Sequence, residues 1–163
     1  LEYLYPKQHS SFDKQKRILF TVLILLVFMQ IAVGSLVAGS KAALVCTSWP
    51  LMNGFYFPKY FGIEETDTKL LLQFIHRNIG YLIFFYVIFI FFFTKNISAQ
   101  FQFHRTRWFL LIMIMLQVVL GVLTLLFSHG KVPVILGVCH QLGAFLLLIF
   151  SVEGHYFIKY RAK

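Results

Sequence analysis

A chain of 163 residues is long enough for one ordinary soluble domain, but 59% hydrophobic residues, 18% aromatics and only 13% charged residues exclude that class. Four uninterrupted apolar stretches of roughly 20 residues match the length that crosses a hydrocarbon core of ~30 Å, and they mark a small polytopic membrane protein. The 15 Lys and Arg against 6 Asp and Glu, a net charge of +9, would point to nucleic acid in a soluble chain; here the basic residues lie between and beyond the apolar stretches, where they set orientation, and no nucleic-acid partner is expected.

The start at Leu1 and the polar lead-in that includes Pro6, Lys7 and His9 are read as a processed or partial product. The first apolar stretch is too long for a signal-peptide core and lacks a small-residue cleavage site, so it stays as a membrane helix. The predicted helices cover residues 18–38, 70–93, 108–127 and 132–152. A membrane barrel would alternate polar and apolar residues, whereas the run from Leu82 to Phe93 is apolar on every side, and only helices satisfy their own backbone there. The expected fold is all-α, a polytopic membrane four-helix bundle of two pseudo-symmetric hairpins. Residues 1–17 form a flank, 18–152 the four-helix domain and 153–163 a basic tail.

Basic flanks give the orientation. Lys7, Lys14, Lys16 and Arg17, then Lys95, Arg105 and Arg107, then Lys159, Arg161 and Lys163 share one side, so both termini are expected in the cytoplasm or the matrix. In the outward first loop, Lys41, Lys59 and Lys69 are balanced by Glu64, Glu65 and Asp67, and Trp49, Tyr56 and Tyr60 suit an interfacial belt.

The hairpins repeat. Gln30 and Gly34 in the first helix return as Gln117 and Gly121 in the third, and His76 with Gly80 in the second returns as His140 with Gly143 in the fourth. Helices one and three run outward and two and four inward, which relates the copies by an axis along the membrane normal and sets His76 opposite His140. One such histidine is ordinarily a structural hydrogen-bonding group. Two at matched depth on related helices predict axial ligation of a haem iron, because ionisable groups in hydrocarbon mark function and paired imidazoles across a bundle suit that chemistry.

Zinc would need three or four ligands, and the spans offer no carboxylate except Glu153 at the inner end of the fourth helix. Cys139 adjoins His140 but points about 100° away, and it is expected to pack. Leu136 stands three residues before Cys139, so covalent haem attachment through Cys-x-x-Cys-His is excluded. Arg77 could meet a haem propionate or anchor the helix end; the sequence leaves both open. Gln30, Gln73, Gln117 and Gln141 are expected in interhelical hydrogen bonds, and His9, His104, His129 and His155 as solvated or flanking residues. Cys46 has no intrachain partner within reach for a disulfide.

The run 30–39, the loop run 49–54 opening on Trp49 and Pro50, Gln73-Phe74-Ile75-His76-Arg77 and Val138-Cys139-His140-Gln141 together resemble the C-terminal half of the heme A synthase family, in order and spacing over about residues 18–152, and closest to its alphaproteobacterial and mitochondrial branch. The resemblance implies an eight-helix protein of two four-helix halves, this half holding a b-type haem (iron) between His76 and His140. It implies an oxidoreductase of heme biosynthesis that converts a methyl group of heme O, the substrate, to the formyl group of heme A for cytochrome oxidase assembly. The implied partners are the membrane, haem, an N-terminal half or a second copy of a four-helix half, and cytochrome oxidase assembly factors, in a bacterial cytoplasmic or mitochondrial inner membrane. Catalytic residues acting on the methyl group are unassigned in this chain, which alone is expected to bind haem without turnover. Two departures stand out: Ala43 replaces a glycine frequent in the family, and Cys46 is single where some members carry two loop cysteines. The alternatives are a stand-alone bis-His haem b electron carrier and a haem-free assembly protein of the same fold.

Overall fold

A computed structural model describes residues 11–57, 65–95 and 101–159. Among them are four long helices: α1 (Ser11–Gly39), α2 (Glu65–Phe93), α3 (Phe101–Leu126) and α4 (Val134–Lys159), with a single 3-10 turn, Ala42–Leu44, after α1. His9, Tyr60, Lys7, Lys59, Glu64, Arg161 and Lys163 lie outside the described residues. Each long helix is apolar enough over enough residues to cross a membrane, so the protein is an integral membrane protein of the expected all-helical class.

The helices outrun the apolar stretches at the end of the bundle that carries the basic flanks. α1 begins at Ser11, α3 at Phe101, and α4 continues to Lys159. Hydropathy marks only what lipid must solvate; the helix continues where side chains still find partners. There Lys16, Phe103, Thr106 and Ile158 are buried against neighbouring helices. At the start of α2, Asp67 brings negative charge to the positive end of the helix dipole.

α1 packs on α2 and α4, and α3 packs on the same two, so α2 and α4 face each other across the bundle. Neighbours are antiparallel: Tyr86 on α2 donates to the Leu19 carbonyl of α1 at 3.1 Å, while Gln30, three turns further along α1, donates to the His76 carbonyl at 2.9 Å. The burial pattern carries the internal repeat. Lys16, Phe20, Leu23 and Val27 are buried in α1, and Phe103, Arg107, Leu110 and Ile114 are buried at the same spacing in α3. Ile83, Val87, Ile90 and Thr94 in α2 are matched in the same way by Leu147, Ser151, Gly154 and Ile158 in α4. Each set follows the i, i+3, i+4 spacing of one helical face.

This close-packed core fills one half of the bundle, next to the basic flanks. Gly154 of α4 lets the ring of Phe20 lie directly on its backbone, and Phe20 and Phe103 meet with ring centres 6.1 Å apart. In the other half the helices pack less densely. Beyond Val27, Ile83, Ile114 and Leu147, the only buried residues of the four long helices, among the described residues, are Gln73, Gln117, Leu125 and Gly143. Leu25, Phe28, Phe85, Phe92, Ile135 and Phe145 project outward, where hydrocarbon takes the place of water.

Candidate functional site

Two helical turns, about 10 Å, beyond the last core residue of each helix lies a single layer: Gly34 after Val27, His76 before Ile83, Gly121 after Ile114 and His140 before Leu147. The repeat thus places two glycines and two histidines at one height. The imidazoles meet across the bundle with ring centres 6.3 Å apart and planes inclined at 75°. Each ring lies against the glycine of its hairpin partner. A β-carbon at position 34 would stand 3.0 Å from Cε1 of His76, and one at 121 would stand 3.1 Å from Cε1 of His140.

Nδ1 of His76 and Nδ1 of His140 are both buried and have no hydrogen-bond partner. Buried polar atoms in proteins are nearly always satisfied, so a matched pair of unsatisfied ring nitrogens calls for a ligand. Among the described residues no group of three or more His, Cys, Asp or Glu side chains converges, which leaves a two-imidazole donor set. Such a set suits a metal ion whose other positions are filled by a macrocycle.

Gln30 makes the interhelical hydrogen bond expected of it, and makes it beside this site, whereas the Nε2 of Gln117 finds no partner. Gln30 Nε2 donates to the His76 carbonyl at 2.9 Å and lies 3.4 Å from Nε2 of the His76 ring. Gly80 gives it room, since a β-carbon there would be 3.3 Å away. Gln117 rests on Gly143 in the same manner, but its Nε2 is buried without a partner. The Gln-x-x-x-Gly repeat was the signal for this arrangement.

Gln73 and Arg77 do not bridge helices. Both reach the loop after α1, where the Cys46 carbonyl accepts from Gln73 Nε2 at 2.8 Å and from Arg77 Nη2 at 3.3 Å. Trp49 Nε1 donates to the Tyr81 hydroxyl at 3.0 Å, and the Tyr56 hydroxyl donates to Asn78 Oδ1 at 3.3 Å. The aromatic residues of the loop therefore fasten it to α2 beside His76, a role for which the sequence carries no local signature. Nε and Nη1 of Arg77 remain buried and unpaired. A guanidinium held at one corner, with two donors free in a sheltered site, is equipped to receive an anionic oxygen.

Other expectations are revised. Cys139 is exposed on the outside of α4 and does not pack within the bundle. His104 is half-buried and joined to Arg107 at 3.2 Å, whereas His129 is exposed as expected. Cys46 is a buried free thiol. Glu153 meets Arg105 at 3.7 Å, far down α4 from the imidazole layer.

Residues 3–152 match the COX15-CtaA family, described as cytochrome oxidase assembly protein. The chain is 33% identical over 156 residues to the heme A synthase of Rickettsia africae (strain ESF-5), covering 92% of this chain and 45% of that protein. It is 37% identical over 139 residues to the heme A synthase of Bartonella henselae (strain ATCC 49882), covering 80% of this chain and 37% of that protein. The chain thus spans less than half the length of these relatives. No solved structure matches it. With the family match running through all four helices, the protein belongs to the COX15-CtaA family of cytochrome oxidase assembly proteins.

Proposed function

We propose that the protein is the C-terminal-type half of a heme A synthase, with residues 18–152 binding a b-type haem through His76 and His140 and supporting oxidation of the heme O methyl group to the formyl group of heme A. The relatives bear the name heme A synthase, and the family is tied to cytochrome oxidase assembly. The single observation that carries the reading is the pair of imidazoles meeting from α2 and α4 at 6.3 Å, each with a buried, unbonded Nδ1.

When bound, the haem supplies one-electron redox chemistry at its iron. The residues of this chain do the rest. His76 and His140 would hold the haem iron through their imidazoles, and Gly34 and Gly121 let both rings lie flush with the neighbouring backbones. Gln30 fixes the height of the His76 backbone. Arg77 would receive a propionate on the two donors left over from Cys46, and the loop fastened at Trp49 and Tyr56 keeps water from the α2 side of the site. The close-packed core beneath closes the opposite end. The residues acting on the heme O methyl group belong to the other half, and both termini of this chain lie in the cytoplasm or matrix.

Purified protein bearing His76→Ala or His140→Ala tests the reading by reduced-minus-oxidised spectroscopy. Each substitution is expected to abolish the six-coordinate low-spin haem b signature. Unchanged haem content and an unchanged spectrum in both variants would overturn the assignment.

A further inference from the structure

The repeat that aligns Gln30 with Gln117 and His76 with His140 also aligns Gln15 with Gln102, Ile18 with Arg105, Phe89 with Glu153 and Phe93 with Phe157. In the second hairpin the crevice between α3 and α4 at this height is closed. Arg105 and Glu153 meet across it at 3.7 Å, and one turn deeper Phe109 stacks on Phe150 with ring centres 5.0 Å apart. In the first hairpin Ile18 and Phe89 stand in place of the ion pair, and the crevice stays open as a cleft of about 280 Å³ lined by Gln15, Ile18 and Leu19 of α1 and Phe89 and Phe93 of α2. Phe89 and Phe93 stack at 5.3 Å to make one wall, and beyond the cleft the Tyr86 hydroxyl holds α2 to the Leu19 carbonyl of α1.

The cleft opens sideways to lipid at the border between hydrocarbon and headgroups: Lys14 begins the apolar span of α1 and Phe93 ends that of α2. Two cations stand at this border. Lys14 precedes Ile18 by one turn on the same face of α1, and Lys95 follows Phe93 at the end of α2. Both are exposed, and neither forms an ion pair among the described residues. An apolar trough that ends between two unpaired ammonium groups is complementary to a molecule with a hydrocarbon chain and an anionic head, and basic pockets between membrane helices at headgroup height select acidic lipids. A neutral isoprenoid or quinone would fill the trough and leave both charges unanswered.

We propose that the cleft between α1 and α2 binds one anionic phospholipid, with an acyl chain along Ile18, Leu19, Phe89 and Phe93 and the phosphate between Lys14 and Lys95. The lipid would tie the start of α1 to the end of α2, as Arg105 and Glu153 tie α3 to α4 directly. The proposal is independent of haem ligation and of the oxidation of heme O.

Native mass spectrometry of the full chain, exchanged into mild detergent with equal amounts of phosphatidylglycerol and phosphatidylcholine, tests it. The parent protein is expected to retain one phosphatidylglycerol in preference to phosphatidylcholine. In Lys14→Gln/Lys95→Gln that preference should fall by roughly fivefold for each lysine removed, the worth of one cation near an anionic surface. Ile18→Arg/Phe89→Glu, which carries the closing ion pair of the second hairpin into the first, should abolish retention of the lipid. Equal retention of the two phospholipids by the parent, an unchanged preference in the lysine variant, or undiminished retention in the closed variant would each overturn the proposal, as would a neutral lipid carried in place of phosphatidylglycerol. The lysine variant alters only exposed side chains, so it decides the question even where the closed variant fails to fold.

Discussion

The imidazole of His76 lies so close to Gly34 that a β-carbon on that residue would stand 3.0 Å from Cε1, a separation that real contacts essentially never fall below. Gly121 bears the same relation to His140, at 3.1 Å. A glycine in mid-helix is a liability of about 0.5–1 kcal/mol relative to alanine, so its recurrence at both sites reflects the rings and not the helices.

Gly34→Ala and Gly121→Ala should therefore separate two properties. Helix propensity rises, so the thermal unfolding midpoint of the haem-free protein should hold or increase. The ring must shift by a few tenths of an ångström, so haem retention in detergent should weaken, and Gly34→Val should weaken it further. Equal haem retention in the valine variant and the parent would show that the glycine does not set the ring position.

At the other end of the bundle Gly154 has a purely structural counterpart. The ring of Phe20 occupies the place a β-carbon on Gly154 would take. Phe20 is fully buried, so overpacking here should destabilise by about 1–3 kcal/mol. Gly154→Ala is expected to lower the unfolding midpoint, and Phe20→Leu in the same chain to restore part of it. Additive losses in the double variant would show that the two residues do not share one space.

The four spans, their pairing and the two histidines were legible because lipid imposes a one-dimensional signal: apolar length marks each helix, and polar residues inside it stand out. His76 and His140 stood out further because Gln and Gly recur around them. That the helices run beyond the apolar stretches to Ser11, Phe101 and Lys159 was not legible, since there packing, not hydropathy, sustains the helix. Nor was the use of Gln73 and Arg77, which depends on how the loop after α1 folds back on α2; nothing in a run of residues states which carbonyl a side chain will meet. Cys139 was misplaced because a cysteine in an apolar span is as compatible with the outer face of α4 as with its inner one.

The two related glutamines differ in a way that can be measured. Gln30 holds a hydrogen bond to the His76 carbonyl, while Nε2 of Gln117 is buried without one. Replacing a bonded group loses about 1 kcal/mol, whereas replacing an unsatisfied buried polar group with an apolar one of similar shape is nearly neutral or stabilising. Gln30→Met should accordingly lower stability by about that amount and Gln117→Met should not. Chemical unfolding in mixed micelles gives both values under one condition. The opposite ranking would mean that Gln117 is the better satisfied of the pair.

The loop after α1 is held to α2 by polar contacts that can be removed one at a time. Gln73 is buried and donates its amide to the Cys46 carbonyl, so Gln73→Leu removes one anchor and leaves Arg77 as the remaining donor to that oxygen. Opening of the loop should become easier by about 1–2 kcal/mol, the range for a lost hydrogen bond and an underpaired acceptor. Hydrogen exchange resolved by peptide is the direct measurement. Amides of residues 45–55 should exchange roughly tenfold or more faster in the variant, since each 1.4 kcal/mol is a factor of ten, while those of the Val27 and Ile83 turns stay protected. Uniform acceleration across both regions would show that Gln73 supports the whole bundle instead of the loop.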